Sequence, residues 1–384
     1  MNMLVLRPKL RKLHYCFFNN RYKESVLKGI IDDYRDYSGE KTALKNILSH
    51  LRLASSNLAL GTNPDVIAVR VVFGGEFFNQ PVMVNQEVKE KVKSLIPHAP
   101  LHIPATLQLI ELCEEIFAKI PIILVFETAF FAALPQRESL YALDMEIMEN
   151  SGFRRYGFKG LYHWAACNYV LSNNGNNKKH KHPGKILSIC LEPKPEIAAI
   201  VGKKPVMVTG GATPMEGIPG EVTCGEIDPG IIINLAQKKG WGPEQINILL
   251  SQQSGLYGIT GEKVNLEEII RSRKPEYKLA REIMQYKILQ ACGAGIAAMG
   301  GLDKIVFCGR YTSAGEVLAP WLLFKLVYSC LRDATGITVD FYRENIDRII
   351  AESVYSFMLA NGLSCLWQKE GERNSLTKPL YNLN

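Results

Sequence analysis

The sequence has no Cys-x-x-Cys pair, no tandem repeat, no low-complexity tract and no strong excess of either charge. Each absence closes off a class. Cysteines without pairing or regular spacing read as buried, reduced thiols. The composition likewise excludes a disordered chain, a collagen-like repeat and a small disulfide scaffold. Lys and Arg number 45 against 38 Asp and Glu, and a net +7 over 384 residues allows contact with anions without the basic stripe of a nucleic-acid binder. The longest apolar runs, 120–135 and 317–330, are broken by Pro121, Glu127, Pro320 and Lys325. Both fall short of the roughly 20 residues that a membrane helix needs, so no membrane insertion is expected. The basic amino terminus lacks the apolar core and cleavage site of a secretory leader. Nine scattered cysteines are then expected to be reduced thiols in a cytoplasmic protein.

What is present is the make-up of an ordinary globular protein: 47% hydrophobic, 22% charged and a mean hydropathy of −0.02. The length suits two domains. Residues 3–6, 66–73 and 122–126 are short, apolar and rich in branched side chains, as in strands covered on both faces. Apolar residues at helical intervals fall in 40–60 and 105–118. Strands are then expected at 185–191, 196–201, 303–308 and 337–342. Helices are expected at 230–239, 243–252, 275–299, 316–334 and 343–360, and a Gly/Pro-rich stretch at 202–230. Alternating strands and helices predict an α/β fold in two domains, the second opening between Pro135 and Arg154. The segment from Asn173 to Lys185 reads as an exposed basic loop, and its His180-x-His182 as solvated side chains rather than a metal site. Helix 316–334 is apolar nearly all round, which predicts burial in the chain's own core or, as the alternative, against a partner in a larger complex.

Several stretches taken together carry a resemblance. They are Val69–Glu76 (VRVVFGGE), His98–Pro104 (HAPLHIP), Val125–Phe131 (VFETAFF), Tyr141–Leu143 (YAL) and Arg154–Gly160 (RRYGFKG). Thr213–Gly217 (TPMEG), Gly225–Pro229 (GEIDP), Ser254–Gly261 (SGLYGITG) and Ala297–Phe307 (AAMGGLDKIVF) follow in order. At these separations they resemble the acetate and propionate kinases over about 1–310. The resemblance implies two duplicated ribonuclease H-like domains of the actin and sugar kinase type, hinged around a cleft. The first would span 1–130, completed by 343–384, and the second 131–342, which would also carry the contact of a homodimer. It further implies phosphoryl transfer between ATP and a short-chain carboxylate, with magnesium. Arg70 matches the arginine that holds carboxylate or transferring phosphate. Val72, Leu101, Phe158 and Pro214 match the acyl-chain lining, and His102 the family histidine. An arginine in so apolar a strand must in any case find an anion, from the protein or from a ligand.

The phosphate-binding parts depart from that pattern. The family's first strand runs into Asn-x-Gly-Ser-Ser-Ser, whereas Arg7-Pro8-Lys9-Leu10-Arg11-Lys12 stands here. Pro8 has no N–H and the bulky side chains bar close backbone approach, so a solvated basic arm is expected. The second loop, His-x-Gly-Asn-Gly-Ser-Ser, becomes Cys190-Leu191-Glu192-Pro193-Lys194-Pro195-Glu196. Two prolines delete amide donors, and two glutamates add charge where phosphates would lie. Unit charges ~4 Å apart repel by about 4 kcal/mol at an effective dielectric of 20. The motif aspartate becomes Glu127, which could reach magnesium through water. A histidine becomes Phe131, another becomes Lys159, and the second arginine falls on Thr223. Past Phe307 the nucleotide turn reads Cys308-Gly309-Arg310-Tyr311-Thr312, and the Asn-Glu-Glu magnesium site has only a shifted echo in Arg343-Glu344-Asn345. An arginine clamp contributes ~10³–10⁵ in rate in related transfers.

The expectation is a kinase-like protein that keeps the acyl side (Arg70, Val72, Leu101, His102, Phe158, Pro214) and has lost the ATP side. No cofactor is expected, and a binding, regulatory or structural role follows. The partners would be a short-chain carboxylate, a second copy or a larger complex, and not nucleic acid. The alternative is an active diverged kinase using Arg70, Lys159 and Glu127, with magnesium and ATP as cofactors.

Overall fold

β-branched and aliphatic runs, each a few residues long and bounded by turns, make two sheets. The structure is a computed structural model and describes residues 1–9, 11–19, 24–32, 39, 41–47, 49–50, 63–173, 184–329 and 336–363. The chain divides into two units, Met1–Ala132 with Asn345–Asn384, and Ala133–Glu344.

In the first unit the strands are β1 (Met3–Pro8), β2 (Lys12–Asn19), β3 (Glu24–Asp32), β4 (Val66–Val71), β5 (Val82–Met83) and β6 (Ile122–Phe126). They lie in the order β3-β2-β1-β4-β6-β5. Antiparallel hairpins join β1, β2 and β3, whereas β1, β4 and β6 run parallel, with Leu4 opposite Ile67 and Val69 opposite Leu124. Helix α1 (Gln86–Ser94) starts where the Asn85 side chain accepts the Val88 N–H. Helix α2 (Ile103–Ile116) turns Leu109, Ile110, Leu112 and Cys113 inward. Of the helix expected over 40–60, residues 41–47 are helical and 51–60 lie outside the described residues.

The second unit repeats this plan. Helices α3 (Gln136–Ser139), α4 (Met145–Ser151) and α5 (Gly160–Asn173) precede β7 (Lys185–Cys190), β8 (Glu196–Val201) and β9 (Lys204–Val208). Helices α6 (Pro229–Lys239), α7 (Pro243–Gln252), α8 (Gly255–Thr260), α9 (Leu266–Arg271) and α10 (Lys278–Met299) follow. Then come β10 (Lys304–Cys308), α11 (Thr312–Ser329) and β11 (Thr338–Phe341). The sheet order is β11-β10-β7-β8-β9, with β7, β10 and β11 parallel and β7, β8 and β9 antiparallel. Three hairpin-joined strands beside two parallel ones thus occur in both units.

Helix α12 (Ile346–Ala360) returns to the first unit and packs on β1, β4 and β6. It buries Ile349, Ile350, Val354 and Met358, each side chain contributing about 1.5–3 kcal/mol of transfer free energy. The second core joins Leu187, Ile189 and Ala199 to Met284, Ile288 and Ile296 of α10 and Leu318, Leu322 and Leu326 of α11. Helix α11 is therefore core, as its composition predicts, although Phe324 stays exposed.

One expectation needs correction. The basic arm is ordered: Arg7 and Pro8 belong to β1, Lys12 opens β2, and the Lys9 N–H closes the turn on the Lys12 carbonyl. The Arg7 side chain is only 12% exposed, because a carboxylate waits for it. Strand β9 lies inside the Gly/Pro-rich stretch 202–230. The basic loop with His180 and His182 falls largely in 174–183, outside the described residues. No disulfide forms among the described cysteines, and all of them but Cys224 are buried.

Candidate functional site

Open α/β sheets take ligands beyond the carboxyl ends of their parallel strands. In the first unit those ends carry Arg70 on β4, Glu127 just after β6 and Arg7 on β1. The apolar strand does force Arg70 to find an anion, and the protein supplies it. Arg70 Nε donates to Glu127 Oε1 at 2.5 Å, with side chains 13% and 7% exposed. The Glu127 backbone N–H meets the Val71 carbonyl, and the Gly74 N–H donates to Thr128 Oγ1. These bonds fix the strand ends that hold the pair.

Arg70, Val72 and His102 line one hollow with Pro8, Lys9, Ala105 and Thr106. As it stands the hollow is too tight for a water molecule. Leu101 does not line it and is 61% exposed. Phe158, Lys159 and Pro214 belong to the second unit.

Arg7 makes the second pair. Its Nε and a terminal nitrogen donate to the two carboxylate oxygens of Asp347, in the first turn of α12. His14 lies opposite Arg7 in the β-ladder. Burial first, then Lys9 and Arg7, push its imidazole down to about 4, against the opposing pull of Asp347.

In the second unit the expected phosphate turn is a tight connection between β7 and β8. Glu196 is 3% exposed and takes the Lys159 N–H on Oε1 and the Phe158 N–H on Oε2, both at 2.8 Å. His163 Nε2 lies 3.5 Å from Oε1. That distance is the limit of hydrogen-bond reach. His163 Nδ1 is 2.8 Å from Ser188 Oγ, and both residues are fully buried. Burial pushes the Glu196 carboxyl up, but His163, the Phe158 N–H and Lys194 outweigh it and hold it below the usual range. Glu192 accepts the Arg310 N–H at 2.8 Å. Lys194, between the two acids, is pushed down to about 8, chiefly by burial. It donates to the Glu216 carbonyl.

Glu196 and Glu192 thus accept three backbone N–H groups from other segments of the chain. A buried carboxylate without hydrogen bonds would cost several kcal/mol, and each charge-assisted bond returns about 1.5–3. Pro193 and Pro195 have no N–H to add. Cys190, at the end of β7, lies in register with Cys308 of β10. Burial pushes its thiol well up, which removes it as a nucleophile.

A cavity of about 680 Å³ lies elsewhere in the second unit. Glu138, Arg155, Glu216, Lys287 and Ala294 are among its lining. Its charges are matched: Arg155 pairs with Glu216 at 2.7 Å, Lys287 stands 3.5 Å from Glu226, and Glu138 accepts the Val208 N–H. No candidate residue lines it.

The sequence profile of the Acetokinase family matches residues 17–348. The chain belongs to the acetokinase family. An acetate kinase of Methanosarcina mazei is 30% identical over 314 residues, covering 81% of this chain and 75% of that protein. One of Sulfurimonas denitrificans is 36% identical over 76% of this chain and 72% of that protein. The crystal structure of Porphyromonas gingivalis acetate kinase superposes with a TM-score of 0.81 at 26% identity, covering 93% of this chain and 99% of that one. The fold is accordingly the duplicated acetokinase α/β architecture, with one sheet in each unit.

Placed in an acetokinase fold, the C-terminal motif reads differently from its sequence echo. Asn345 is the N-cap of α12. Taken as the asparagine of Asn-Glu-Glu, it puts the two glutamates on Ile346 and Asp347, not on Glu344. Ile346 cannot ligate magnesium, and Asp347 has both oxygens on Arg7. Among the described residues no three His, Cys, Asp or Glu side chains converge to hold a metal ion. Asp347 and Glu127 are each held by an arginine. His163, Ser188 and Asp347 escaped the sequence reading. A lone histidine in an apolar helix beside a strand serine was the available signal for the first two, and a lone acid at a helix start for the third.

Proposed function

We propose that this acetokinase-family chain does not carry out ATP-dependent phosphoryl transfer and serves a regulatory, structural or carboxylate-binding role. One observation supports this above the others. Glu196 occupies two backbone N–H groups beside the β7–β8 turn, where a phosphate-binding loop would need its donors free. The pairing of Arg70 with Glu127 argues the same way for the first unit. It withdraws both the arginine expected on the carboxylate and the acid expected on magnesium.

Between the roles, a closed hollow and an already satisfied Arg70 favour structure or regulation over tight carboxylate binding. Self-association through the second unit is the expected partner mode. Helix α6 buries none of its own side chains, and Ile231 and Ile233 are exposed on it. Light scattering on the purified chain tests this, and a monomer would oppose it.

Titration calorimetry tests the functional reading. MgATP should give no saturable heat, and acetate or propionate at most a weak one lost in Arg70→Ala. Magnesium-dependent ATP binding at micromolar affinity would instead support an active diverged kinase, as the named activity of the relatives suggests.

A further inference from the structure

We propose that the Arg7 guanidinium is a built-in cation that takes the place of a divalent metal at the carboxyl end of β1, so that α12 is held to the first sheet without any metal ion. The inference rests on the non-catalytic reading and concerns this chain's own side chains.

Position comes first. β1 lies between β2 and β4 inside the sheet, and α12 packs across β1, β4 and β6. Arg7 and Asp347 join the strand's end to the helix's first turn, with side chains 12% and 18% exposed. An acid there also faces the positive end of the helix dipole.

Geometry comes next. The guanidinium fork places one nitrogen on each carboxylate oxygen, so Asp347 is engaged on both. A hard divalent cation needs several oxygen ligands at short range. The other acid at these strand ends, Glu127, is held by Arg70.

Charge closes the argument. Lys9, Arg7 and Lys12 stand close enough to His14 to act on its ionisation, with Asp347 as the opposing acid. A second free cation would enter a field that is already positive. A guanidinium keeps its charge at any physiological pH and cannot be chelated away. The contact is therefore permanent where a metal would exchange.

The test uses the full chain, with thermal unfolding and Mn²⁺ binding by electron paramagnetic resonance. The wild type should unfold at the same temperature in EDTA, in millimolar Mg²⁺ and in millimolar Mn²⁺, and should bind no stoichiometric Mn²⁺. Arg7→Ala should lower the melting temperature by several degrees, because Asp347 is left half-buried without its partner. Arg7→Ala with Asp347→Asn should recover part of that loss. Arg7→Lys, which keeps the charge and loses the fork, should fall between and covers the case in which Arg7→Ala does not fold. Mn²⁺ bound by the wild type and lost in Asp347→Asn would overturn the proposal. So would losses that simply add in the double variant. MgATP binding to a wild type that still ignores free Mn²⁺ would sink the non-catalytic reading and leave this one standing.

Discussion

Replacing Glu196 by glutamine keeps the shape of the side chain and removes one acceptor. The carboxylate serves two N–H groups with two oxygens, each at 2.8 Å. The amide can serve one with its oxygen and must turn an NH₂ toward the other. Losing a charge-assisted bond costs about 1.5–3 kcal/mol, and stranding a buried N–H costs another ~1–3. The expected loss is on the order of 3 kcal/mol. For a unit of this size each kcal/mol moves the melting temperature by about 2–4 °C, so Glu196→Gln should melt about 6–12 °C lower at neutral pH. The pH dependence gives an independent reading. Glu196 is held below the usual carboxylate range, so its stabilisation is complete above that range and is lost as pH falls through the folded value. The wild type should therefore approach the variant in acid. Calorimetric scans of both proteins from neutral to acid pH measure the gap. Two curves that coincide at neutral pH would refute the claim that this carboxylate holds the turn.

His14, held at about 4, is neutral in the fold and charged in the unfolded chain between that value and its ordinary 6.5. Its contribution should thus disappear as pH falls through that interval, and His14→Gln should flatten the stability profile there in urea titrations. A cycle of Arg70→Ala and Glu127→Gln should be non-additive, each single change costing more than its share of the double; independent effects would contradict the pairing. Gly315 lies where α11 crosses β10, and a Cβ there would sit 2.6 Å from the Phe307 ring. Gly315→Ala should lower stability by about 1–3 kcal/mol despite its better helix propensity, and a neutral or stabilising result would show that the crossing is loose.

Much of the fold was legible because burial writes itself into composition. β4 and β6 are nearly pure aliphatic runs, and α6 and α7 open with Pro229 and Pro243 at their first turns. The strand pairings outside those runs were harder. β2 mixes Lys12 and His14 with aromatics, and β9 has Pro205 near its start on the sheet's edge, so neither has a clear period. The site was half legible. The sequence shows that Arg70 needs an anion but not that Glu127, 57 residues on, provides it. It shows two glutamates beside two prolines in the turn. It does not show that amides from Phe158, Lys159 and Arg310 receive them, because those donors come from segments far away along the chain. The Arg7 turn was misread for the same reason. A cluster of cations looks solvated until the acid that meets one of them, here on a helix near the other end of the chain, is placed beside it.

The most direct measurement is a crystal structure of the protein soaked with magnesium and a non-hydrolysable ATP analogue. Glu196 should remain on the Phe158 and Lys159 amides, and Glu192 on that of Arg310, with no phosphate against residues 191–195. A β- or γ-phosphate bound to those amides, with the glutamates displaced, would contradict the account.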